Sequence, residues 1–216
     1  MHKKVFLSLL FLSLFLVSCI GVKAGISIDS GGKGRMSLEY RILREFEALG
    51  RLDGNEAWPI IPAGKADLER SLERLPGMKL RAFSQKDEGN DTLIHAEMEF
   101  SSVENLLPFL DAWGERALYR SENGKKRLFL CLNPGGKLYD PQLIAIFNRF
   151  SGAYVWELSL TAPATVSLAA KDGKGNPLAE LPGGVKLEEN GKTARFSIAP
   201  ATILSEENGL TLDFSW

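Results

Sequence analysis

The sequence predicts an α+β fold: antiparallel sheets with helices on one face, built from strand-strand-helix units, plus an all-β C-terminal part. Three observations predict it. Apolar and polar residues alternate with period two over Gly25–Ser30, Met36–Ile42, Thr92–Phe100 and Leu210–Trp216, as half-buried strands require. Between these runs, Leu68, Leu72 and Leu75, and later Val103, Leu106, Leu107 and Leu110, fall at helical spacing. From Ala153 onward helical spacing gives way to short β-rich runs divided by Gly, Pro and Asn-Gly turns.

Taken in order, Gly31-Gly32-Lys33-Gly34 turns the chain between the first two strands. Ile42, Phe46 and Leu49 then suggest a helix stopped at Gly50, and Trp58-Pro59-Ile60-Ile61-Pro62 a loop. The Leu68–Leu75 helix ends at Pro76-Gly77. Met78–Gln85 and Thr92–Phe100 read as paired strands around the polar turn Glu88–Asp91. Ser102 suits the N-cap of the next helix, which Pro108 should kink or shorten and which extends to Trp113. Asn123-Gly124 predicts a hairpin between Ala117–Ser121 and Arg127–Leu132. Asp140-Pro141 reads as the cap and first residue of a helix bearing Leu143, Ile144, Phe147 and Phe150, ended by Ser151-Gly152. Strands follow at Tyr154–Thr161, Ala164–Ala169, Val185–Glu188, Thr193–Ile198 and Leu210–Trp216, with a second hairpin signal at Asn190-Gly191.

The N-terminus carries a targeting pattern. His2, Lys3 and Lys4 precede an apolar run from Val5 to Val17, too short for the ~18–20 residues of a spanning helix. It closes on Leu16-Val17-Ser18-Cys19, which resembles the lipobox of bacterial lipoproteins. That resemblance implies cleavage after Ser18 and acylation of Cys19. The expected organisation is a signal peptide over 1–18, a short lipidated tether over 19–24, an α+β domain over 25–152 and a β-rich part over 153–216 packed on the same domain. Localisation follows: the cell envelope, lipid-anchored to a membrane outside the cytoplasm, with membrane lipid itself the first partner. Two or three acyl chains hold a protein firmly, each buried CH₂ contributing about 0.8 kcal/mol.

Removing Lys3 and Lys4 with the leader takes 26 basic residues to 24 against 27 acidic ones, which argues against nucleic acid as a partner. With Cys19 acylated, Cys131 is the remaining cysteine, so no intramolecular disulfide can form. Its apolar setting, Arg127–Leu132, predicts a buried and inert thiol.

A second resemblance rests on longer stretches. Ile26-Ser-Ile-Asp-Ser-Gly-Gly-Lys-Gly-Arg-Met-Ser-Leu-Glu-Tyr40, the leucine-rich helix after it, and Ile94-His-Ala-Glu-Met-Glu-Phe-Ser-Ser-Val-Glu-Asn-Leu106 resemble the LppM-type lipoprotein domain. The strand hairpin around Glu188–Ser197 also fits. The likeness is strongest over residues 24–113. It implies an envelope protein with an α+β domain and lipid or glycolipid binding; it implies no catalytic residue. The sequence departs from members of that family that carry a C-terminal transmembrane segment.

Chemical motifs are sparse. Period two places His95, Glu97 and Glu99 on one strand face, either a row of ligands for a cation or the solvated side of a sheet. The Pro-Cys-x-x-Cys partner of a zinc deaminase is missing. Asp172, Lys174 and Asn176 resemble the start of a calcium loop, but Gly183 stands where a bidentate Glu is needed. Neither a phosphate-binding loop nor a Gly-x-Ser-x-Gly elbow is present. Leu106, Leu107, Leu110 and Trp113 suit either core packing or the lining of a lipid-sized cavity, and Trp58 with Pro59 an exposed apolar contact. No catalytic, metal or cofactor site is expected. The function expected is non-catalytic binding of a lipid, glycolipid or membrane-proximal protein. The alternatives are an envelope hydrolase or modifying enzyme working through acids such as Glu97 and Glu99, or an accessory subunit of an envelope complex.

Overall fold

Alternation of side chains gives the N-terminal half four long strands. In the computed structural model, which describes residues 20–43, 64–111, 116–136, 141–142, 144–145, 148 and 155–216, β1 (Ile20–Ile28) and β2 (Gly34–Leu43) form a hairpin. Asp29 ties its turn: its N–H donates to the Lys33 carbonyl at 2.8 Å, and its Oδ1 accepts the Lys33 N–H at 3.0 Å. The ladder runs on to Ile20↔Ile42. Residues 20–24 are therefore strand rather than tether, and Ile42 is strand rather than helix. The leader, Ser18, Cys19, the rest of the Ile42–Leu49 helix, the Trp58–Pro62 loop and Trp113 lie outside the described residues.

Helix α1 (Lys65–Glu73) buries Leu68 and Leu72, and the chain turns at Gly77 (φ 80°) into β3 (Met78–Glu88). β3 pairs with β4 (Asp91–Phe100) through a two-residue turn. Ser102 caps α2 (Val103–Leu110) as expected, accepting the Asn105 N–H at 3.3 Å. Pro108 lacks the N–H that would bond the Glu104 carbonyl one turn back, and the helix stops two residues later. The buried carboxylate of Asp111 then accepts the N–H groups of Arg116 and, at 2.7 Å, Ala117, which fixes the entry into β5 (Ala117–Glu122).

Asn123 and Gly124, both at positive φ (51° and 77°), turn β5 into β6 (Lys125–Asn133). Of the helix expected after Asp140, the described residues Pro141, Gln142, Ile144, Ala145 and Asn148 are helical. Next come β7 (Trp156–Thr161), β8 (Ser167–Lys171), β9 (Lys186–Asn190), β10 (Thr193–Ile198), the short helix α3 (Pro200–Ser205) and β11 (Leu210–Ser215). α3 was not legible as an apolar stripe; Pro200 at its start was its signal. The β9–β10 loop is Gly191-Lys192, one residue beyond the expected Asn190-Gly191.

The strands make two sheets, ordered β3-β4-β2-β1-β7-β10-β9 and β5-β6-β11-β8. β1 and β7 pair in parallel, so the large sheet is mixed rather than antiparallel throughout. A parallel pair needs a long crossover, and β2 to β6 supply it. The strands from β7 onward are divided between the two sheets, so the described residues 155–216 are woven into the first half rather than laid on it.

One core joins both sheets. Ile26, Met98, Leu160 and Phe196 of the large sheet pack with Leu128, Leu212 and Phe214 of the small one, each at most 2% exposed. α1 against β3, and α2 against β4 and β5, fill one side of this sandwich. On the other side β8 meets β9, where a Glu189 carboxylate oxygen accepts the Leu168 N–H at 2.5 Å.

Gly34 marks the tightest point of the large sheet. A Cβ there would lie 2.0 Å from the Ser27 carbonyl oxygen and 2.4 Å from the Phe100 ring. Gly34→Ala should lower unfolding free energy by about 1–3 kcal/mol through overpacking, measured as a shift of the urea midpoint at constant slope. Gly183→Ala, where a Cβ meets nothing within 4 Å, should leave the midpoint in place.

Candidate functional site

The outer face of the large sheet is polar because its inner strands alternate, most cleanly β4 and β10, and its charges come in cross-strand pairs. Lys23 meets Glu39 at 3.5 Å, Arg41 meets Glu88 at 3.1 Å, and Arg195 holds Glu157. Such exposed pairs contribute about 0–1 kcal/mol each, so the pattern matters more for recognition than for stability.

At the end of this face farthest from Ile20, the β1–β2 turn, the start of β3 and the end of β4 enclose an open groove of about 760 Å³. Its charged lining is Asp29, Lys33, Arg35, Lys79, Arg81 and Glu99, with Ser27 and Ser101 supplying hydroxyls. Register places Glu99 between Arg35 on β2 and Lys79 on β3. Arg81 arrives there differently. The β3–β4 register shifts between Leu80 and Ala82, so Arg81 is the extra residue of a bulge and swings its guanidinium onto Glu99. Arg35 approaches the same carboxylate at 3.5 Å from the other side.

These contacts set the chemistry of Glu99. The Arg81 hydrogen bond, with the charges of Arg81, Arg35 and Lys79, holds its carboxyl below the ordinary glutamate range. It remains a carboxylate at neutral pH. Glu97 stands exposed, 3.5 Å from His95 Nε2. The row His95, Glu97, Glu99 thus lies on one face as spacing requires, but each carboxylate has its own partner. Among the described residues no group of three His, Cys, Asp or Glu side chains could hold a metal ion.

The remaining sequence candidates fall elsewhere. Leu106 is wholly buried and Leu107 and Leu110 pack against the main core, which makes that stripe core packing. The Asp172 carboxylate is taken up by its own loop, accepting the N–H groups of Lys174 and Asn176, each at 2.8 Å. Cys131 is half-buried on the outer side of the small sheet, not buried in the core, because it sits opposite Thr211 rather than among the inward leucines. Sequence reasoning missed Lys33, Arg35, Lys79 and Arg81. Only Arg81 left a readable trace, in β3, where inward residues Met78 and Leu80 are followed by Phe83 instead of position 82, the change of parity a bulge produces.

No protein-family profile matches the chain, and no curated protein matches it. Among solved structures, it is similar to the folded domain of the Mycobacterium tuberculosis LppM protein, determined by NMR. The alignment has 13% sequence identity and a TM-score of 0.43, and covers 92% of this chain and 90% of that one.

The depressed Glu99 pKa has a signed consequence. The Arg35–Glu99–Arg81 contact is fully formed above the unfolded value near ~4.3 and is lost as pH falls through the lower folded value. An NMR titration of the Glu99 side-chain carboxyl should give a midpoint below ~4.3; a midpoint at or above it would refute the clamp.

Proposed function

We propose that this chain is a membrane-anchored envelope lipoprotein with a non-catalytic binding role, acylated at Cys19 after cleavage behind Ser18. Its ligand is a lipid, a glycolipid or a membrane-proximal protein, and the grooved outer face of the large sheet is its binding surface. The observation that carries the binding role is the clamp on Glu99. A carboxylate held ionised between two guanidiniums neither donates a proton at neutral pH nor is free to take one, whereas it does shape a charged surface.

The start of β1 supports the anchor's part in this reading. Cys19 directly precedes Ile20, the first residue of a strand flanked by β2 and β7. A lipid on Cys19 would then join the sheet with almost no slack, against the ~18 Å that a five-residue tether could span. The domain would ride on its membrane with its orientation restricted.

Mass spectrometry of the mature N-terminus should find a diacylglyceryl-modified Cys19 following loss of residues 1–18, and Cys19→Ser should release the protein from the membrane fraction. An unmodified Cys19 would refute the anchor. Native mass spectrometry of the protein from its own envelope should reveal a co-purified ligand. Turnover of an envelope substrate that Glu97→Gln or Glu99→Gln abolishes would overturn the non-catalytic reading.

A further inference from the structure

The distal groove has more positive charge than its own acids use. Asp29 is engaged in the β1–β2 turn through the Lys33 N–H, and Glu99 is shared between Arg35 and Arg81. Two acids against Lys33, Arg35, Lys79 and Arg81 leave a surplus of two positive charges. The four cations are exposed, and among the described residues neither lysine side chain is held in an ion pair. Two guanidiniums from different strands converging on one oxyanion form the forked arrangement that binds carboxylate or phosphate, and here Glu99 occupies it.

We infer that this groove binds a phosphate group on the water-exposed part of the proposed ligand, with Glu99 as the internal anion that it displaces. The inference rests on reading the outer face as a binding surface. Phosphate rather than carboxylate matches the surplus, since a phosphate monoester brings up to two negative charges and three acceptor oxygens. The volume lies within the ~300–1,000 Å³ of ligand sites, so the groove takes the phosphate together with part of the group that carries it. Position argues against headgroups of the protein's own bilayer. β1 rises ~3.3 Å per residue, which puts the groove at Ile28 the length of the strand away from Ile20, the end that the proposed anchor would hold at the membrane.

The test uses the full chain in detergent, titrated calorimetrically with inorganic pyrophosphate at low and moderate salt. Binding should weaken with salt, weaken about tenfold in Arg81→Gln, and tighten several-fold in Glu99→Gln, which frees both guanidiniums. Lys79→Gln, checked with Arg81→Gln for native circular dichroism, provides a second variant that should weaken binding. No heat with millimolar pyrophosphate at low salt, or binding unmoved by both variants, would overturn the assignment. So would binding to phosphatidylglycerol vesicles by a Cys19→Ser chain with pyrophosphate inert. If a neutral ligand co-purifies while pyrophosphate stays inert, the phosphate inference fails and the binding role stands.

Discussion

The parallel ladder between β1 and β7 is the joint on which both halves of the molecule depend. Val22–Ser27 run beside Trp156–Thr161, so the first strand is bonded to one more than a hundred residues away. Without that ladder the four N-terminal strands would end in an open edge at β1, and β7, β10 and β9 would stand apart as a separate three-stranded sheet. The register also decides which side of β1 is inside. Ile26 lies opposite Leu160 and Ala24 opposite Leu158, all turned toward the small sheet, while Gly25 and Ser27 face out opposite Ser159 and Thr161. A slip of one residue would put Ile26 and Ile28 into solvent and Lys23 into the core.

The small sheet answers this with a different device. Asp213, on its central strand β11, is only 4% exposed and binds both Arg127 and, at 2.9 Å, Lys171. The Arg127 guanidinium also lies 4.8 Å from the centre of the Phe129 ring. A carboxylate on the side of the sheet away from the core therefore links β6, β11 and β8, adding side-chain ties to the backbone ladders. Removing Asp213 would leave two cations against the ring, so the group is cohesive only as a whole.

Most of the fold was legible because its signals were local. The Asn123-Gly124 turn, the Ser102 cap, and the alternation in Thr92–Phe100 each declare themselves within a few residues. The β1–β7 pairing and the assignment of strands to two sheets depend on contacts across the whole chain, and no periodicity encodes them. The site was legible only in half. Alternation put Glu99 and His95 on one face, but nothing near Glu99 in sequence points to Arg35 or Arg81. Those two meet it through cross-strand register and through a bulge whose trace, Phe83 out of phase with Leu80, reads as noise unless β3 is already known to pair with β4.

That bulge has a consequence beyond the groove. β3 is an edge of the large sheet, eleven residues long, and a straight edge of that length is a template on which another copy could build its own strand. Arg81 breaks the regular spacing of its outward N–H and C=O groups, and the exposed Lys79 and Lys86 set like charges beside any identical edge that approaches. The residue that aims a cation at Glu99 is therefore also a guard against copies zipping together along their edges.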